Sequence, residues 1–278
     1  MTVGKAMKIG INDFQMAYDD LGNKLPLLLI HGYPLNRTMW EPQIDGLRDH
    51  VRIIAPDLRS HGESSIPAIS GSGFDIAHPM EQLADDCASL LEALDVNDRV
   101  ILGGLSMGGY IAFAFYRKYH QRVAGLILAA TRAGADSPEV KQNRDKAVAL
   151  ARQSGAQAIA QSMLPKMMSP KTYTEKPELV NLVSKMMQST SVNGIVGDLL
   201  GMRDRPDSLS LLPQINIPTL LIHGADDQLI PLSEMQAMQA AIPGSVLRTI
   251  PNSGHLLNLE QSEIVNQAIL EFIQGLID

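Results

Sequence analysis

Hydrophobic residues in this chain are concentrated in short continuous segments that alternate with longer segments of mixed polarity. Continuous apolar segments of this length are typical of strands that are buried on both faces of a parallel sheet. The segments are residues 25–30, 51–55, 100–103, 123–128, 218–222 and, less strongly, 246–250. Two further segments, 8–11 and 14–18, flank Asn12-Asp13 and predict a hairpin. The pattern therefore predicts eight strands.

Segments with helical periodicity lie between these strands. Residues 80–94 place Leu83, Cys87 and Leu90 on one face, and residues 110–119 and 262–277 are also predicted helices. Alternation of buried strands with amphipathic helices predicts an α/β fold, with a mostly parallel eight-stranded sheet and helices on both of its faces.

Residues 132–212 interrupt this alternation. The segment is helical in composition, contains six of the fourteen methionines and is divided by prolines. A single crossover between neighbouring strands rarely needs so many residues. We therefore predict a helical cap over 132–212, inserted into a core formed by 1–131 and 213–278. The alternative is a set of ordinary crossover helices.

Composition and charge narrow the possible functions. A chain of 278 residues suits one large domain with an insertion, at ~100–200 residues per domain. The net charge of −7 argues against nucleic acid or an anionic membrane as a partner. The single cysteine, Cys87, excludes an internal disulfide and a cysteine-based zinc site, and the seven histidines show no ligand spacing.

Targeting signals are not recognisable in the sequence. It has neither an apolar run long enough to span a membrane nor the apolar centre of a signal peptide, so we expect a cytoplasmic protein. The expected partner is a small molecule, with no metal or organic cofactor. The sequence leaves the oligomeric state open.

A candidate nucleophile lies in the segment Gly104-Leu105-Ser106-Met107-Gly108, between a predicted strand and a predicted helix. In a Gly-x-Ser-x-Gly turn the serine adopts a strained backbone conformation, and the residues two positions away must be small. Its hydroxyl then projects at the carboxyl end of the sheet, near the N–H groups that begin the helix. We predict Ser106 to be the nucleophile; the alternative is a glycine-rich turn without a catalytic role.

A serine hydroxyl needs a general base, and in this arrangement an acid and then a histidine follow the serine along the chain. Three histidines follow Ser106. His120 is separated from Ser106 by the length of a helix, and His223 ends a predicted strand, where it more simply orients a turn. His255 lies in a loop between the last strand and the last helix, from which it can reach the serine. We predict His255 to be the base.

The acid is expected directly after the strand at 218–222, where Asp226 and Asp227 are adjacent. The spacing between Gly224, Asp227 and Pro231 favours Asp227, which leaves Asp226 to stabilise the turn. The acid holds the imidazole tautomer and stabilises the imidazolium. The alternative is that Asp226 is the acid and Asp227 stabilises the turn.

Backbone amides are the expected oxyanion donors. One comes from the residue after the nucleophile and the other from a loop after an early strand. His31-Gly32-Tyr33-Pro34 fits that loop, and Pro34 has no N–H to donate. We predict the amides of Tyr33 and Met107 to bind the oxyanion; the alternative for 31–34 is a plain turn.

The remaining polar segments are interpreted as structural, and a few apolar residues are candidates for the substrate pocket. Residues 57–64 are interpreted as a polar loop at the sheet, and Asp85 with Asp86 as a solvated helix face. No basic cluster in the sequence indicates a polyanionic substrate, so we expect a small to medium, mostly apolar ester. The candidate substrate-pocket residues are Trp40, Met163, Met167 and Tyr173.

Together these motifs resemble the α/β-hydrolase superfamily. The matching segments are residues 31–34, 56–64, 104–109, 223–227 and 254–255. The resemblance is strongest to small soluble serine esterases, 3-oxoadipate enol-lactonases and cofactor-free haloperoxidase (perhydrolase)-like members. It implies that Ser106, Asp227 and His255 form the triad. Ser60 departs from the pattern, because glycine is usual at its position.

The resemblance implies a serine carboxylester hydrolase that acts through an acyl-enzyme on an ester or lactone. Ser106 argues against relatives that place an aspartate at this turn, such as haloalkane dehalogenases and epoxide hydrolases. Three alternatives share the fold: a carbon–carbon bond hydrolase, an acyltransferase or perhydrolase, and a ligand receptor with slow turnover.

Overall fold

The computed structural model describes residues 6–67 and 76–277. Within them, the strands are β1 Met7–Ile11, β2 Phe14–Leu21, β3 Pro26–Ile30, β4 Arg52–Pro56, β5 Val100–Leu105, β6 Val123–Ala129, β7 Thr219–Gly224 and β8 Val246–Ile250. They form one eight-stranded sheet in the order β1-β2-β4-β3-β5-β6-β7-β8. The β1–β2 and β2–β4 pairs are antiparallel, and the other neighbouring pairs are parallel. The predicted mostly parallel sheet is confirmed.

The central strands are buried on both faces, as their unbroken apolar sequences require. Every residue of β3 and β5 is buried, and Ile30 pairs with Gly104 near the carboxyl ends of these strands. The edge strands β1 and β8 each expose three of their five residues. Because β3, β5, β6 and β7 are parallel, the loops that follow them emerge at one edge of the sheet.

Helices cover both faces of the sheet. In the described part of the chain they are α1 Glu41–Leu47, α2 Met80–Ala93, α3 Met107–Tyr119, α4 Pro138–Met163, α5 Pro170–Glu175, α6 Pro177–Ser189, α7 Val192–Asp204, α8 Leu232–Ala241, α9 Leu257–Glu260 and α10 Ser262–Ile277. Leu28 and Ile30 belong to an apolar cluster with α2 and α3, whereas Leu27 and Leu29 belong to a second cluster with α1 and α10. Successive strand residues face opposite sides of a sheet, so each cluster fills one side.

Helix α3 begins at Met107, three residues before the predicted start at Tyr110. From the sequence, Gly108 and Gly109 are expected in the turn before this helix. In the structure both lie in the first turn of the helix, where a Cβ on Gly108 would approach Ile30 O to 2.3 Å and one on Gly109 would approach Thr131 Oγ1 to 2.4 Å. Tertiary packing therefore selects glycine inside this helix.

Between β6 and β7 the chain forms helices α4 to α7, which we call the helical insertion. Ser137, Ser169 and Ser191 cap three of these helices by accepting a backbone N–H bond three residues ahead. Prolines occupy the first position of α4, α5 and α6, where no intrahelical N–H bond is lost. Among the described residues, no helix combines the length and hydrophobicity that crossing a membrane requires.

Helix α7 packs closely against the core through a glycine face and a buried charged cluster. A Cβ on Gly201 would approach the carbonyl oxygen of His78 to 1.8 Å, so only glycine fits there. One helical turn away, Asp198 is fully buried between two imidazole rings, 3.1 Å from His61 Nε2 and 2.8 Å from His78 Nδ1. His61 Nδ1 donates to the carbonyl of Arg59. These contacts fix one helix of the insertion to the core.

The structure corrects the interpretation of Asp86, which is fully buried and is not part of a solvated helix face. Arg59 binds its two carboxylate oxygens at 2.7 and 2.8 Å, and Asn12 donates a third hydrogen bond. Helical periodicity placed Asp86 away from the apolar face of α2. It could not show that the β1–β2 turn and the loop after β4 cover that side.

Candidate active site

Ser106 lies between β5 and α3 with φ 56° and ψ −111°. This conformation is strained for a residue with a side chain, and the surrounding backbone holds it in place. The Ser106 N–H donates to Ala129 O at 2.9 Å, and its carbonyl accepts from Thr131 Oγ1 at 2.8 Å. The N–H of Ser106 is therefore tied to the last residue of β6, and its carbonyl to the loop that follows β6.

Close packing explains the glycines two residues away on either side. A Cβ on Gly104 would lie 2.2 Å from Gly108 O, and a Cβ on Gly108 would lie 2.3 Å from Ile30 O. Separations this short are incompatible with any side chain unless the backbone moves. The requirement for glycine at both positions thus arises where α3 crosses β3 and β5.

His255 and Asp227 are joined by a 2.9 Å hydrogen bond from Nδ1 to Oδ2. The other carboxylate oxygen of Asp227 accepts the N–H groups of Leu229 and Ile230 at 2.8 and 3.1 Å. Burial raises the pKa of Asp227, but His255 and these two amides outweigh burial and hold it below its ordinary value. Asp227 therefore remains ionised beside the imidazole.

Asp226 takes no part in this pair. Its side chain is exposed, and its backbone N–H donates to Ser253 O at 2.8 Å. The structure thus brings Asp227, and not Asp226, to His255.

The loop after β3 lies directly against the serine. A Cβ on Gly32 would lie 3.1 Å from Leu105 O and 3.5 Å from the Ser106 Cβ, so the next residue, Tyr33, is adjacent to the turn. Met107 is the first residue of α3, and the first-turn N–H groups of a helix have no acceptor within it. The two predicted donor residues therefore flank Ser106.

His31 stabilises this loop as a neutral imidazole. Burial lowers its pKa to about 3. Its Nε2 accepts the N–H of Leu58 at 3.0 Å, which leaves the proton on Nδ1 to be donated to Gly32 O, also at 3.0 Å. The ring thereby connects the loops that follow β3 and β4.

Ser106 and His255 open into one cavity of about 450 Å³. Its walls are mostly apolar, and the helical insertion supplies a large part of them. The apolar lining residues include Ile159, Met163, Leu199, Met202, Leu229 and Ile230. A cavity of this size can hold a small to medium organic molecule.

Comparisons with known proteins agree with this geometry. Residues 26–262 match the family model of the alpha/beta hydrolase fold. The chain belongs to this family.

Three relatives of this alpha/beta hydrolase illustrate the range of its neighbours. A thermophilic esterase from Thermogutta terrifontis, solved with malate bound, is 43% identical with a TM-score of 0.92, covering 98% of this chain and 99% of that one. A putative non-heme chloroperoxidase of Synechocystis is 29% identical over 99% of both chains. The 3-oxoadipate enol-lactonase 2 of Acinetobacter baylyi is 28% identical, covering 87% of this chain and 86% of the relative. The sequence resemblance is confirmed, and these relatives support hydrolytic activity.

The structure separates the four predicted pocket residues of this hydrolase. Met163 lines the cavity. Trp40 and Met167 are instead packed in the apolar cluster that also contains α1 and α10, and Tyr173 packs against the same cluster. The Tyr173 hydroxyl donates to the carbonyl of Leu164. These three side chains fill the space between elements, which composition alone could not distinguish from lining a pocket.

Several lining residues were not predicted from the sequence. Val140, Asn143, Arg144 and Ala147 of α4 line the cavity, as does Arg132 just after β6. The spacing of the four α4 residues, at intervals of three and four, was visible in the sequence and would have indicated one helix face. Which face meets the cavity depends on how α4 packs on α7.

A second histidine, His223, lies near the site, but in the described part of the chain no hydrogen bond pairs it with Asp227 or Ser106. His223 is buried at the end of β7, and burial lowers its pKa, so its ring is neutral. Among the described residues, no group of three or more His, Cys, Asp or Glu side chains is arranged to hold a metal ion.

Proposed function

We propose that this protein is a serine carboxylester hydrolase that acts on small to medium, mostly apolar esters or lactones through an acyl-enzyme. The observation that carries the proposal is the shared cavity: Ser106 and His255 line it together, while Asp227 binds the far nitrogen of the same imidazole. A nucleophile, a base and a group that orients the base are the parts that acyl transfer requires.

In the proposed reaction, Nε2 of His255 takes the proton of the Ser106 hydroxyl as the serine oxygen attacks the ester carbonyl carbon. The carbonyl π electrons move to oxygen and form a tetrahedral oxyanion. When this collapses, the bond to the alcohol oxygen breaks, and the proton on His255 passes to the departing alcohol. Water then attacks the acyl-serine with the same histidine as base, and the acid and free Ser106 are released.

The amides of Tyr33 and Met107 are proposed to bind the oxyanion. Met107 follows Ser106, which is fixed in the turn, and Tyr33 follows Gly32, which packs against that turn, so both donors are held in place before the reaction begins. Loss of one such donor typically costs about 10²–10³ in rate.

The helical insertion is proposed to act as a cap that defines the acyl pocket. Its α4 and α7 residues form much of the cavity wall. The predicted division into a core, 1–131 with 213–278, and a cap, 132–212, describes this role.

Hydrolysis of a p-nitrophenyl ester series from acetate to decanoate tests the proposal. We expect rapid turnover that depends on chain length and is lost in Ser106→Ala. Ser162 provides a matched control for labelling by a fluorophosphonate. It lines the same cavity, but its hydroxyl donates to Ile159 O within α4. Ser162→Ala should still be labelled, and Ser106→Ala should not. Unchanged turnover in Ser106→Ala would refute the proposal.

A second candidate activity is transfer of the acyl group to an acceptor other than water, for which the relative named as a putative non-heme chloroperoxidase provides the reason. The same acyl-serine would form, and hydrogen peroxide or an alcohol would replace water. Product analysis with such acceptors present distinguishes the two: peracid or a new ester indicates transfer, and free acid alone indicates hydrolysis.

A further inference from the structure

Two arginines line the cavity that contains Ser106 and His255. Arg132 follows β6, and Arg144 lies on the cavity-facing side of α4. Within the described part of the chain, the cavity lining includes no carboxylate. A mostly apolar cavity with two fixed positive charges has the composition of a site for an organic anion.

One buried carboxylate holds both arginines in position. Oδ1 of Asp136 accepts from Arg132 Nη2 at 2.6 Å and from Arg205 Nη1 at 2.7 Å, and Oδ2 accepts from Arg144 Nε. The Asp136 side chain is fully buried. Burial raises its pKa, but the arginines outweigh burial and lower it overall, so Asp136 is ionised. The two cavity arginines are therefore held by a charged anchor and are not loose surface side chains.

The cluster carries more positive than negative charge. Three arginines surround Asp136, and Glu234 adds a weaker attraction on Arg132. Nη1 and Nη2 of Arg205 also donate to the carbonyls of Met202 and Gly134, and the guanidinium lies over the Tyr110 ring, 4.0 Å from its centroid. Arg205 thus has a structural role, whereas Arg132 and Arg144 present the excess charge to the cavity.

Two polar groups on the described lining residues have no partner, but both are closed off from the cavity space. Among the described residues, Arg132 Nε and the Tyr33 hydroxyl are both buried without a hydrogen-bond partner. Asn143, next to Arg144, lines the same cavity. Its side-chain amide is a neutral donor that a bound carboxylate can use, because a carboxylate accepts several hydrogen bonds.

We propose that Arg132 and Arg144 form a carboxylate-binding subsite, and that the preferred substrates are esters or lactones carrying a carboxylate at the end of a short hydrocarbon chain. This proposal rests on the proposed function, because the subsite binds the carboxylate of a substrate whose ester group reacts with Ser106 in the same cavity. The apolar walls bind the hydrocarbon chain. The paired guanidiniums fix its charged end and thereby orient the ester carbonyl.

Matched ester pairs test the subsite on the full chain. Monoethyl glutarate is paired with ethyl 5-methylhexanoate, in which an isopropyl group replaces the carboxylate of the acyl part. The pair 4-acetoxybutanoate and 4-methylpentyl acetate places the same difference in the alcohol part. We expect kcat/KM to be about 10- to 100-fold higher for the charged ester in at least one pair, as charge-assisted hydrogen bonds predict.

Variants locate the source of that preference. Arg144→Gln and Arg132→Gln should each lower the ratio of charged to neutral kcat/KM by about tenfold or more. Arg203→Gln is the matched control. Arg203 also lies in the insertion, but it pairs with Asp145 and Asp204 at the surface and is not a lining residue. The control should keep the wild-type ratio.

Binding without turnover separates the subsite from the catalytic proposal. Calorimetry of Ser106→Ala should show binding of glutarate, absence of binding of the neutral glutaramide, and loss of glutarate binding when Arg144→Gln is added. Neutral esters hydrolysed through Ser106 with no preference for charge, or a preference that survives both arginine variants, would overturn the subsite and leave the esterase intact. Glutarate binding without any ester hydrolysis would support the subsite and refute the esterase.

Discussion

His255 donates from Nδ1 to the Asp227 carboxylate over 2.9 Å, and this bond determines which nitrogen faces the cavity. With the proton held on Nδ1, Nε2 keeps its lone pair. His255 shares that cavity with Ser106. The lone pair on its Nε2 is therefore well placed to accept the proton of the serine hydroxyl. The catalytic assignment therefore depends on this pair as much as on the serine.

Replacement of the acid tests the role of this bond. Asp227→Asn removes the negative charge that stabilises the imidazolium, and kcat should fall by about 10²- to 10⁴-fold with the fold intact. Asp226→Asn is the control, because the Asp226 side chain is exposed and its structural contact is a backbone N–H bond. It should keep kcat near wild type. If Asp226→Asn loses activity and Asp227→Asn does not, the assignment of the acid is wrong.

The buried Asp198 cluster predicts a pH-dependent stability. Burial disfavours the charged forms of both Asp198 and His61. Each charge stabilises the opposite charge on the other residue more strongly, so the pKa of Asp198 is lowered and that of His61 is raised. Asp198 stabilises the fold above its ordinary pKa, and this contribution is lost as the pH falls through the lowered value. The His61 contribution is present below its ordinary pKa and is lost as the pH rises through the raised value.

At pH values between the lowered pKa of Asp198 and the raised pKa of His61, Asp198→Asn should therefore reduce the free energy of unfolding by about 3–5 kcal/mol. At alkaline pH the reduction should be smaller. Asp204→Asn is a matched control on the same helix, because Asp204 is an exposed partner of Arg203. It should cost less than about 1 kcal/mol. Denaturant unfolding across the pH range measures both. A loss from Asp198→Asn that does not change with pH would contradict the ionic description of the cluster.

Ser60 offers a stabilising substitution. Its φ is +66°, and among the described residues its buried hydroxyl has no hydrogen-bond partner. Glycine adopts this conformation without strain, so Ser60→Gly should raise the free energy of unfolding by about 1 kcal/mol. Ser60→Ala removes the hydroxyl but keeps the strained Cβ, and thermal unfolding should show a smaller gain or none. Equal effects of the two substitutions would mean that backbone strain is not the cause.

Replacing two helical glycines, Gly108 and Gly275, by alanine should change the stability of the protein in opposite directions. A Cβ at Gly108 would approach Ile30 O to 2.3 Å, whereas nothing lies within 4 Å of a Cβ at Gly275 in α10. Gly108→Ala should destabilise the protein by about 3 kcal/mol and lower kcat, because Ile30 leads into the Tyr33 loop. Gly275→Ala should stabilise it by about 0.5–1 kcal/mol. A tolerated Gly108→Ala would show that this contact can relax.

The strands and the candidate triad could be predicted because each has a local signal. A continuous apolar segment such as 100–103 is strongly constrained when both faces are buried, and Ser106, Asp227 and His255 all follow strands at the same sheet edge. The order of the strands has no comparable local signal. It depends on which segments pair with each other, and the hydrophobic pattern of one segment does not specify its neighbours.

The residues that sequence reasoning misplaced depend on contacts between distant segments. Asp86 is polar on a helix that looks amphipathic, and its burial follows from Arg59 reaching it from another loop. Trp40 and Met167 are apolar enough for a pocket or for a core, and only packing decides between them. Arg144 is a cavity residue paired with Asp136, which lies outside its helix, and helical periodicity does not show either contact. Each outcome is fixed by tertiary structure.

Titration of the protein with a fluorophosphonate, followed by peptide mapping and measurement of the residual esterase activity, tests whether Ser106 is the nucleophile. We expect one adduct per chain on Ser106, with activity falling in proportion to the labelled fraction. Esterase activity that persists in fully labelled protein, or an adduct on another residue that accounts for the loss, would contradict this assignment.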